Sequence, residues 1–540
     1  MTGQFKSKRW MLLDKKEQAV NPLVRKEREE PGGLAGIARV NRRQVLTTLG
    51  AAGVLTVAGG LLSGGIASAL EAGASAGAMG NGAAGKKPGN GNGNGSPHAA
   101  IEELREELEA RMRSEAILTA VNLSWYGAAG DGITDDTAAW NAAMADVPAG
   151  GALYVPPGTY YSASGFLCGR GDITIFGAGP SSHLTTEAQT NTLLIGKSDR
   201  TTRVRNVNVH SLKFSQKPGP SGSGGANNFA GVKVWFVDRA VVHNNDFEEC
   251  DVCISFGGGN SSLGFPGRVT YRNAAVLNRM LNTNKMGVEV FFQNHAIVYA
   301  NQMINEDDYK VAESHAVRLI GSHHSMCCDN DVYRFRTGVS TQGGNSLGYR
   351  ESDHFLISGN KFRQCVKGVQ GFEGAYNGQV LMNVIEHVRE FGIEFRQEKN
   401  GGWDHLIVEG NLISADPNST SGGQRGATFT AGQRLVFRGN QSVGFGNSQT
   451  SGTAYHVYVS AIGRIAVIEG NYFEDSFYLS SGSRNLGVRV LNNEKTVISR
   501  NNVFVSPSPN PAEQNAQSSG SGQLVKGFPG LDDMNDYFQG

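Results

Sequence analysis

The sequence carries no net charge, because 49 Lys and Arg residues balance 49 Asp and Glu residues. A protein that binds duplex nucleic acid through its phosphates needs an excess of basic residues, so this balance argues against nucleic acid as a partner. Cysteine is scarce: 6 residues in 540 cannot build a disulfide-stabilised scaffold. Proline is infrequent at 16 residues, which excludes a collagen-like chain despite the abundant glycine.

Glycine is what the chain has in excess, with 73 residues, about twice the ordinary share. Hydrophobic residues still make up 39% of the sequence, enough for a substantial core. The length of 540 residues allows several compact domains or one long solenoid.

Residues 1–70 are similar to an export signal. Positions 1–40 are polar and basic, residues 42 and 43 are both arginine, and an uncharged stretch then ends in an Ala-x-Ala cleavage pattern at 67–69. This arrangement resembles a bacterial twin-arginine signal, which predicts the twin-arginine export machinery as a partner and an extracellular or cell-surface location. The alternative is a retained N-terminal membrane anchor, since the run is long enough to span a bilayer.

Three further segments flank or precede the main domain. Residues 71–98 are mostly Gly, Ala, Asn and Ser and predict a flexible linker. Residues 99–120 predict an amphipathic helix, which either packs on the next domain or forms a short trimeric coiled coil. Its apolar residues share one helical face: Ile101, Leu104, Leu108 and Met112. Residues 506–540 are rich in Pro, Ser, Asn and Gln and predict a loose C-terminal tail.

One short pattern recurs from about residue 200: two apolar residues, two others, an asparagine, one residue and an apolar residue. Single repeats are 29 to 31 residues long, and a second short strand lies within each. Short strands at this period, with no helical pattern between them, predict the coils of a parallel β-helix over residues 121–505. Asparagine at one fixed corner turns the chain through the left-handed region, and stacked amides form a ladder. The asparagines are Asn245, Asn301, Asn330, Asn360, Asn383, Asn411, Asn440, Asn471 and Asn501.

A longer motif opens this region. Residues 126–140 read Tyr-Gly-Ala-Ala-Gly-Asp-Gly-Ile-Thr-Asp-Asp-Thr-Ala-Ala-Trp, and residues 151–160 read Gly-Ala-Leu-Tyr-Val-Pro-Pro-Gly-Thr-Tyr. With the repeats, this resembles the pectate-lyase superfamily, in the branch of rhamnogalacturonases, epimerases and phage tailspikes. The resemblance implies an all-β, right-handed single-stranded parallel β-helix with an N-terminal capping helix. It also implies a polysaccharide substrate held in a groove along the coils, and a homotrimer as one form of assembly.

The acidic residues of the opening motif have a structural explanation. Thr134 is placed to cap a helix over residues 135–146, and carboxylates in a first turn suit the helix dipole. We therefore expect Asp131, Asp135 and Asp136 to support the cap of the solenoid and not to carry chemistry. The paired-aspartate motifs of polygalacturonase-type hydrolases and the calcium-and-arginine signature of pectate lyases are absent in intact form, so the resemblance does not select a reaction.

Strand alternation assigns a column of side chains to the outside of the coils. It consists of Lys233, Ser255, Glu289, Arg318, Ser340, Gln370, Glu394 and Arg489, with Trp235, Phe291, Gln342 and Arg396 two residues further on. Rungs spaced ~4.8 Å apart make this a polar and aromatic track for an extended chain, and its basic residues favour an acidic glycan. The alternative is a solvated face with incidental charges. The predicted substrate-binding residues are Lys233, Trp235, Glu289, Arg318, Gln370 and Arg489.

The predicted catalytic residues are Glu394, Glu373 and Arg396. Glu373 and Glu394 fall on adjacent rungs and Arg396 is the next outward residue, an arrangement that fits a hydrolase with two carboxyls. It equally fits a lyase, in which Arg396 neutralises a uronate while a base removes its C5 proton. Glu289 lies four rungs from Glu394, about 19 Å away, too far for the two to act together.

A second acidic cluster, Glu306, Asp307, Asp308 and Glu313 with His315, falls in a predicted loop. Asp307 and Asp308 could hold calcium, although a plain solvated turn is the simpler explanation. No cofactor is otherwise required. The sequence thus predicts a secreted carbohydrate-active protein that depolymerises an acidic polysaccharide as a lyase or glycoside hydrolase. The alternatives are a non-catalytic surface glycan-binding protein and a uronate C5-epimerase.

Overall fold

A computed structural model describes the chain from residue 120 onward, with gaps. The described residues are 120–187, 189–217, 229–264, 267–307, 314–343, 351–372, 374–397, 402–419, 423–445, 454–475, 486–491, 497–506, 516–519, 524–525 and 535–539. The predicted signal over 1–70 and the linker over 71–98 lie outside these residues, as does nearly all of the predicted helix over 99–120. Within the described ranges, no helix has the length and apolar character needed to cross a bilayer.

Three long parallel sheets run along the domain, each built from one strand per coil, and every strand pairs in parallel with those of the coils before and after it. Sheet 1 contains Val121–Asn122, Ala152–Val155, Ile173–Gly177, Val204–His210, Val237–His243, Ala274–Val276, Ile297–Tyr299, Met326–Cys328, Leu356–Ser358, Gln379–Leu381, Leu406–Glu409, Arg434–Arg438, Ile465–Glu469, Val497–Arg500 and Leu524–Val525. Sheet 2 contains Asp131–Asp135, Gly158–Ser162, Ser182–Thr186, Lys213–Gln216, Asp246–Glu248, Arg279–Leu281, Gln302–Ile304, Asp331–Tyr333, Lys361–Arg363, Val384–Val388, Leu412–Ala415, Gln441–Phe445, Tyr472–Asp475, Val503–Ser506 and Asp536–Gln539.

Sheet 3 contains Phe166–Cys168, Leu193–Ile195, Ala230–Trp235, Val252–Gly257, Met286–Phe291, His315–Ile320, Thr337–Gln342, Lys367–Gly371, Phe391–Phe395, Arg425–Thr430, Tyr455–Ser460, Leu486–Leu491 and Ala516–Ser519. Two small sheets complete the coils: Thr270–Tyr271 pairs with Gln293–Asn294, and Ala375–Tyr376 lies between Ser352–Asp353 and Trp403–Asp404. The architecture is the all-β parallel β-helix that the repeats predict.

The core is one continuous cluster of apolar side chains inside the coils. A coil cannot bury its apolar side alone, so each one stacks on the next and shares this core. The inward column predicted for sheet 3 is confirmed, since its described members have no exposed surface: Val232, Ile254, Val288, Val317, Val339, Val369, Ile393 and Val488. All 6 cysteines are buried and unbridged, so none stabilises the fold by a disulfide.

The asparagine ladder is confirmed, with two corrections. Each ladder asparagine donates its side-chain NH2 to the side-chain oxygen of the next, as Asn330 does to Asn360 at 2.9 Å. The left-handed residue is the one before the asparagine, such as Ala300 with φ 52°, and not the asparagine itself. In the last coils the ladder runs through Asn502, to which Asn471 donates at 2.8 Å, and not through Asn501. The frame moves because Val467 pairs with Ile498, one residue later than the pattern places it.

The N-terminal cap is a helix, α1, over Thr137–Asp146, preceded by a short 3-10 helix at Leu123–Tyr126. A second 3-10 turn lies at Ser261–Leu263. α1 begins two residues later than predicted, because residues 131–135 form a strand of sheet 2. The capping role predicted for Thr134 is therefore wrong, and Asp135 accepts from the backbone of Thr137 at 2.9 Å instead.

The aspartates of this cap bind backbone. Asp136 is 2% exposed and accepts from the N–H of Ala129 at 2.6 Å. Asp131 accepts from the N–H groups of Ile133 and Thr134 at 2.9 and 2.8 Å, and these bonds lower its pKa. These contacts account for the acidic residues of the opening motif without any catalytic role.

The coils continue beyond residue 505, where the sequence predicts a loose tail. Ala516–Ser519, Leu524–Val525 and Asp536–Gln539 pair with the strands of the preceding coil in sheets 3, 1 and 2. Asn535 continues the ladder by accepting from the side chain of Asn502 at 3.0 Å. The β-helix domain therefore extends to residue 539 in the described part of the chain.

Candidate functional site

The outer face of sheet 3 carries the predicted column in strict register. Each outward residue pairs with the outward residue of the next coil, as Glu289 does with Arg318 and Gln370 with Glu394. Between the coils of Lys233 and Arg489, the column reads Lys233, Ser255, Glu289, Arg318, Ser340, Gln370, Glu394, Thr428, Tyr458 and Arg489. Much of this column is buried and not solvated, since Glu394 and Gln370 are each only 4% exposed.

A glycine in each of several coils adds a second outward column beside the first. Gly368 lies where sheet 3 meets sheet 2, and a Cβ on it would come within 2.5 Å of Ile385 inside the coil. Gly426 faces inward in the same way, against Ser442. Because these glycines and the next residue both face inward, the residue before each glycine faces outward. Lys367 and Arg425 join the outer face by this route.

Glu394 is the centre of a buried ionic cluster. Its Oε2 accepts from Lys367 Nζ at 2.7 Å and from Gln370 Nε2 at 2.5 Å. Its Oε1 lies 3.8 Å from Nη1 of Arg396, whose side chain is 38% exposed. The predicted neighbours Glu394 and Arg396 are thus brought together, and Gln370 joins them. Glu373, the predicted second carboxyl, lies outside the described residues.

A second buried cluster lies on earlier rungs and centres on Glu289. Lys233 Nζ donates to Ser255 Oγ at 2.9 Å, and Ser255 Oγ donates to Glu289 Oε2 at 2.7 Å. Lys233 also lies 5.7 Å from the ring centroid of Trp235. Burial lowers the pKa of Lys233, and the nearby carboxylate of Glu289 opposes that change. The structure therefore joins three of the predicted substrate-binding residues in one group, separate from the Glu394 cluster.

Arg318 and His315 lie between the two clusters. Arg318 donates to Gln342 Oε1 at 3.0 Å. His315 is not in a loop with Glu306 and Asp307, as predicted, but begins a strand of sheet 3 and is 8% exposed. Burial lowers its pKa to about 3, and the cations of Arg318, Arg336 and Lys367 contribute. His315 is therefore a neutral imidazole among basic groups.

The last group on this face combines arginine with aromatic rings. The Arg425 guanidinium carbon lies 5.5 Å from the ring centroid of Phe391, 5.3 Å from that of Tyr455 and 4.8 Å from that of Tyr458. Arg489, a predicted substrate-binding residue, donates from Nη1 to the Tyr455 hydroxyl at 2.9 Å. This group lies on the coils that directly follow Glu394.

The described residues do not gather around a metal. Asp307 is exposed in the turn after Gln302–Ile304, and Asp308 lies outside the described residues. The side chain of neighbouring Glu306 accepts from Asn282 Nδ2 at 3.2 Å. Across the described ranges, no three His, Cys, Asp or Glu side chains converge in a way that could hold an ion. The calcium prediction therefore has no support from the described donors, and no step of the chemistry below uses it.

A serine–histidine–aspartate arrangement inside the coil is structural. His456 contacts Ser442 Oγ through Nδ1 at 2.9 Å and Asp475 Oδ1 through Nε2 at 2.8 Å. The register of sheet 3 places His456 beside the inward-facing Gly426 of the preceding coil, and Ser442 has no exposed surface. A substrate has no access to this hydroxyl, so the three side chains link sheet 3 to sheet 2 within the core.

Sequence reasoning missed Lys367, Arg425, Tyr455 and Tyr458. The signal for the first two was a cation directly before the glycine of the repeat, in Lys367-Gly368-Val369 and Arg425-Gly426-Ala427. Simple alternation places these cations on the inner face, two residues before the inward Val369 and Ala427, because it does not allow two inward residues in succession. Tyr458 follows from alternation once Val457 is recognised as the inward residue of its coil.

Residues 120–370 match the family described as rhamnogalacturonase A/epimerase, pectate lyase-like. No curated protein matches the chain. Among solved structures, the A-module of the mannuronan C-5 epimerase AlgE4 of Azotobacter vinelandii is 13% identical, covering 75% of this chain and 99% of that chain at a TM-score of 0.48. The DFA-IIIase of Arthrobacter chlorophenolicus A6 in complex with GF2 is 13% identical, covering 76% and 99% at a TM-score of 0.46.

The catalytic unit of the α-1,3-glucanase of Streptomyces thermodiastaticus is 14% identical, covering 77% of this chain and 69% of that chain at a TM-score of 0.38. These similarities are too low to transfer an activity from any of the three proteins. The family match over residues 120–370 and the stacked parallel coils fit the pectate-lyase-like superfamily.

Proposed function

We propose that this protein is a carbohydrate-active enzyme that binds an acidic polysaccharide along the outer face of sheet 3 and cleaves it by elimination at Glu394. The match to a family of polysaccharide-acting proteins supports the substrate class. The observation that carries the reaction is the environment of Glu394, a carboxylate with Lys367 on one oxygen and Arg396 beside the other.

Elimination at a uronate needs a base and a cation close together. The base removes the proton at C5, the bond from C4 to the leaving oxygen breaks, a double bond forms between C4 and C5, and the leaving oxygen takes a proton from water. A cation on the uronate carboxylate stabilises the negative charge that develops next to C5. Oε1 of Glu394 suits the base, because Lys367 and Gln370 already occupy Oε2. The partly exposed guanidinium of Arg396 is suited to bind the carboxylate of the uronate.

Hydrolysis has less support from the described groups. It requires two carboxyls ~5 to 9.5 Å apart, one of which donates a proton to the leaving oxygen. In the outer column the other described carboxylate is Glu289, four rungs or about 19 Å from Glu394.

Glu394→Gln tests the proposal directly. We expect at least a ~100-fold loss of product from a panel of uronate-containing polysaccharides, the scale of loss when a general base is removed. The readouts are new reducing ends and ultraviolet absorbance of an unsaturated uronate, measured below the onset of thermal unfolding. Glu409→Gln, on the outer face of sheet 1, is the matched control and should retain wild-type activity. Full activity in Glu394→Gln would contradict the assignment.

Binding without catalysis is the second candidate, and the 4% exposed fraction of Glu394 is the observation that favours it. In that case the protein retains glycans of the panel, yet neither reducing ends nor ultraviolet absorbance increase. A C5-epimerase shares the first step of elimination, since it also removes the C5 proton. It would change the uronate stereochemistry in the NMR spectrum without shortening the chain.

A further inference from the structure

We propose that Arg425 and Arg489, together with Tyr455 and Tyr458, form a separate subsite that holds an anionic substituent of the bound glycan, either a uronate carboxylate or a sulfate ester. The inference rests on the proposed function, because it assumes that a glycan occupies the outer face of sheet 3. It adds which residues recognise the charge and where along the chain they do so.

Arg425 is held by aromatic rings on several sides. Phe391 and Tyr455 occupy the same outward column on the coils before and after it, and Tyr458 lies in the neighbouring column. All three ring centroids are within 5.5 Å of its guanidinium carbon. Stacking on the rings fixes the plane of the guanidinium group. The N–H groups at its edge therefore point in a fixed direction, which a bidentate contact with a carboxylate or sulfate requires.

Arg489 approaches the same tyrosine. Its Nη1 donates to the Tyr455 hydroxyl, and its guanidinium carbon lies 5.4 Å from the Tyr455 ring centroid. Two guanidinium groups, each a cation, thus lie against one ring. Both guanidinium carbons lie within 5.4 Å of the Tyr455 ring centroid, so an anion that contacts both is attracted by two positive charges.

The charge of this pair is not balanced within the described part of the chain. The ion pairs there join other arginines to acids, such as Arg434 to Asp404 and Arg438 to Glu409, but none involves Arg425 or Arg489. Tyr455 and Tyr458 add ring faces on which the apolar side of a sugar can stack. A group of cations with aromatic rings and no acids among the described residues is better suited to bind a charged sugar than the apolar surface of a protein.

The subsite is in register with Glu394. Arg425 lies one rung and Arg489 three rungs beyond it, the latter about 14 Å away by the rung spacing. A glycan that extends along the face and places its anionic group between the arginines therefore passes Glu394 a few sugars away. Oligosaccharides too short to span this distance should bind and react more weakly than longer ones.

Calorimetric titration of the full-length protein with three polymers tests the subsite: polygalacturonate, dextran sulfate and neutral dextran, measured cold before product accumulates. We expect one or both charged polymers to bind and dextran not to bind. Arg425→Gln and Arg489→Gln should each weaken that binding about tenfold, the value of one charge-assisted contact. Arg425→Lys should bind more tightly than Arg425→Gln but more weakly than wild type, since lysine keeps the charge and loses the bidentate geometry. Arg438→Gln on sheet 1 is the control and should bind like wild type.

Each outcome decides between the proposals. Wild-type affinity in Arg425→Gln and Arg489→Gln, equal binding of dextran, or no binding of any polymer overturns the subsite, provided that the melting curves of the variants match the wild type. Preference for dextran sulfate over polygalacturonate identifies the anion as a sulfate, and the reverse identifies a carboxylate. If charged glycan binds through Arg425 but no polymer yields product, the subsite stands and the elimination proposed above falls.

Discussion

Two faces of the same coils use charge in opposite ways. On the outer face of sheet 1, acid and base alternate in register through Glu409, Arg438, Glu469 and Arg500. Arg438 pairs with Glu409 at 2.9 Å and Arg500 with Glu469 at 2.7 Å, all of them partly exposed. Each charge has its partner on a neighbouring rung, so this face holds coils together and leaves no charge for a ligand.

On the outer face of sheet 3, cations outnumber acids over the same stretch. Lys367, Arg396, Arg425 and Arg489 face a single described carboxylate in these columns, that of Glu394. The comparison teaches that register alone does not decide the charge of a face. The same ladder geometry is neutral where signs alternate and positively charged where they do not.

The largest effect should come from breaking the buried pair on sheet 3. Lys367→Met leaves Glu394 buried with one cation fewer, and removing one partner of a buried ion pair costs about 3 kcal/mol or more of unfolding free energy. Arg438→Met on sheet 1 breaks an exposed pair and should cost about 1 kcal/mol or less. Thermal melts followed by circular dichroism give both values. Equal losses would mean that the two faces do not differ as described.

The next largest effect is the pH dependence of stability that His315 on sheet 3 causes. Burial lowers the pKa of His315 to about 3, with Arg318, Arg336 and Lys367 contributing. The stability due to neutral His315 is present above its unfolded pKa near 6.5 and is lost as the pH falls towards 3. His315→Gln should therefore lose less stability than wild type between pH 6.5 and 4, by about 3 kcal/mol. Melts across this range test it, with exposed His354→Gln as the control; parallel curves for wild type and His315→Gln would contradict it.

Asp329, at the corner that follows sheet 1, should change the stability in the opposite direction with pH. Burial raises the pKa of Asp329 to about 6. The folded protein thus favours neutral Asp329, and this contribution is present below the unfolded pKa near 3.8 and is lost as the pH rises through 6. Asp329→Asn should raise stability by about 1 kcal/mol at pH 8 and leave it unchanged at pH 4. A variant that gains equally at both values would show that charge is not the cause.

The smallest effect is expected from exchanging partners on sheet 1. Glu409→Arg combined with Arg438→Glu keeps one charge of each sign on adjacent rungs, although the carboxylate introduced at position 438 would then face Glu469 on the next one. The double variant should recover most of the loss of either single variant and lie within about 0.5 kcal/mol of wild type. A double-mutant cycle measures the coupling energy between the two positions. If the double variant loses as much stability as the two single variants together, the two residues do not interact across the rungs.

The repeats predicted the fold because the residues that define a coil lie close together in the sequence. The inward valines and isoleucines of sheet 3 and the amides of the ladder recur within each coil, so a single coil predicts its neighbours. Glu394 and Arg396 were predicted together because two residues on one strand share a face whatever the rest of the molecule does. The shift from Asn501 to Asn502 was not predictable from the pattern, which fits Asn501 and fails for Asn502 because Ser499 is not apolar.

Lys367 and Arg425 could not be found by alternation, because the corner at each repeat glycine places two inward residues in succession. The burial of Glu394 depends on contacts from neighbouring coils, which sequence spacing does not measure. His315 was assigned to a loop because the residues before it are acidic, while its pairing with Met286 places it on sheet 3. What sequence missed were contacts made between coils, and what it predicted were features repeated within each.

From Asn245 to Asn535, the amide ladder gives the junctions between coils the same chemistry. Each asparagine donates to the next one and accepts from the one before, whether the step is Asn278 to Asn301 or Asn440 to Asn471. A segment that begins and ends at this corner can therefore be duplicated or deleted, and the asparagines on either side of the change still meet. The outer face of sheet 3 can therefore lengthen or shorten by whole coils while the fold is kept.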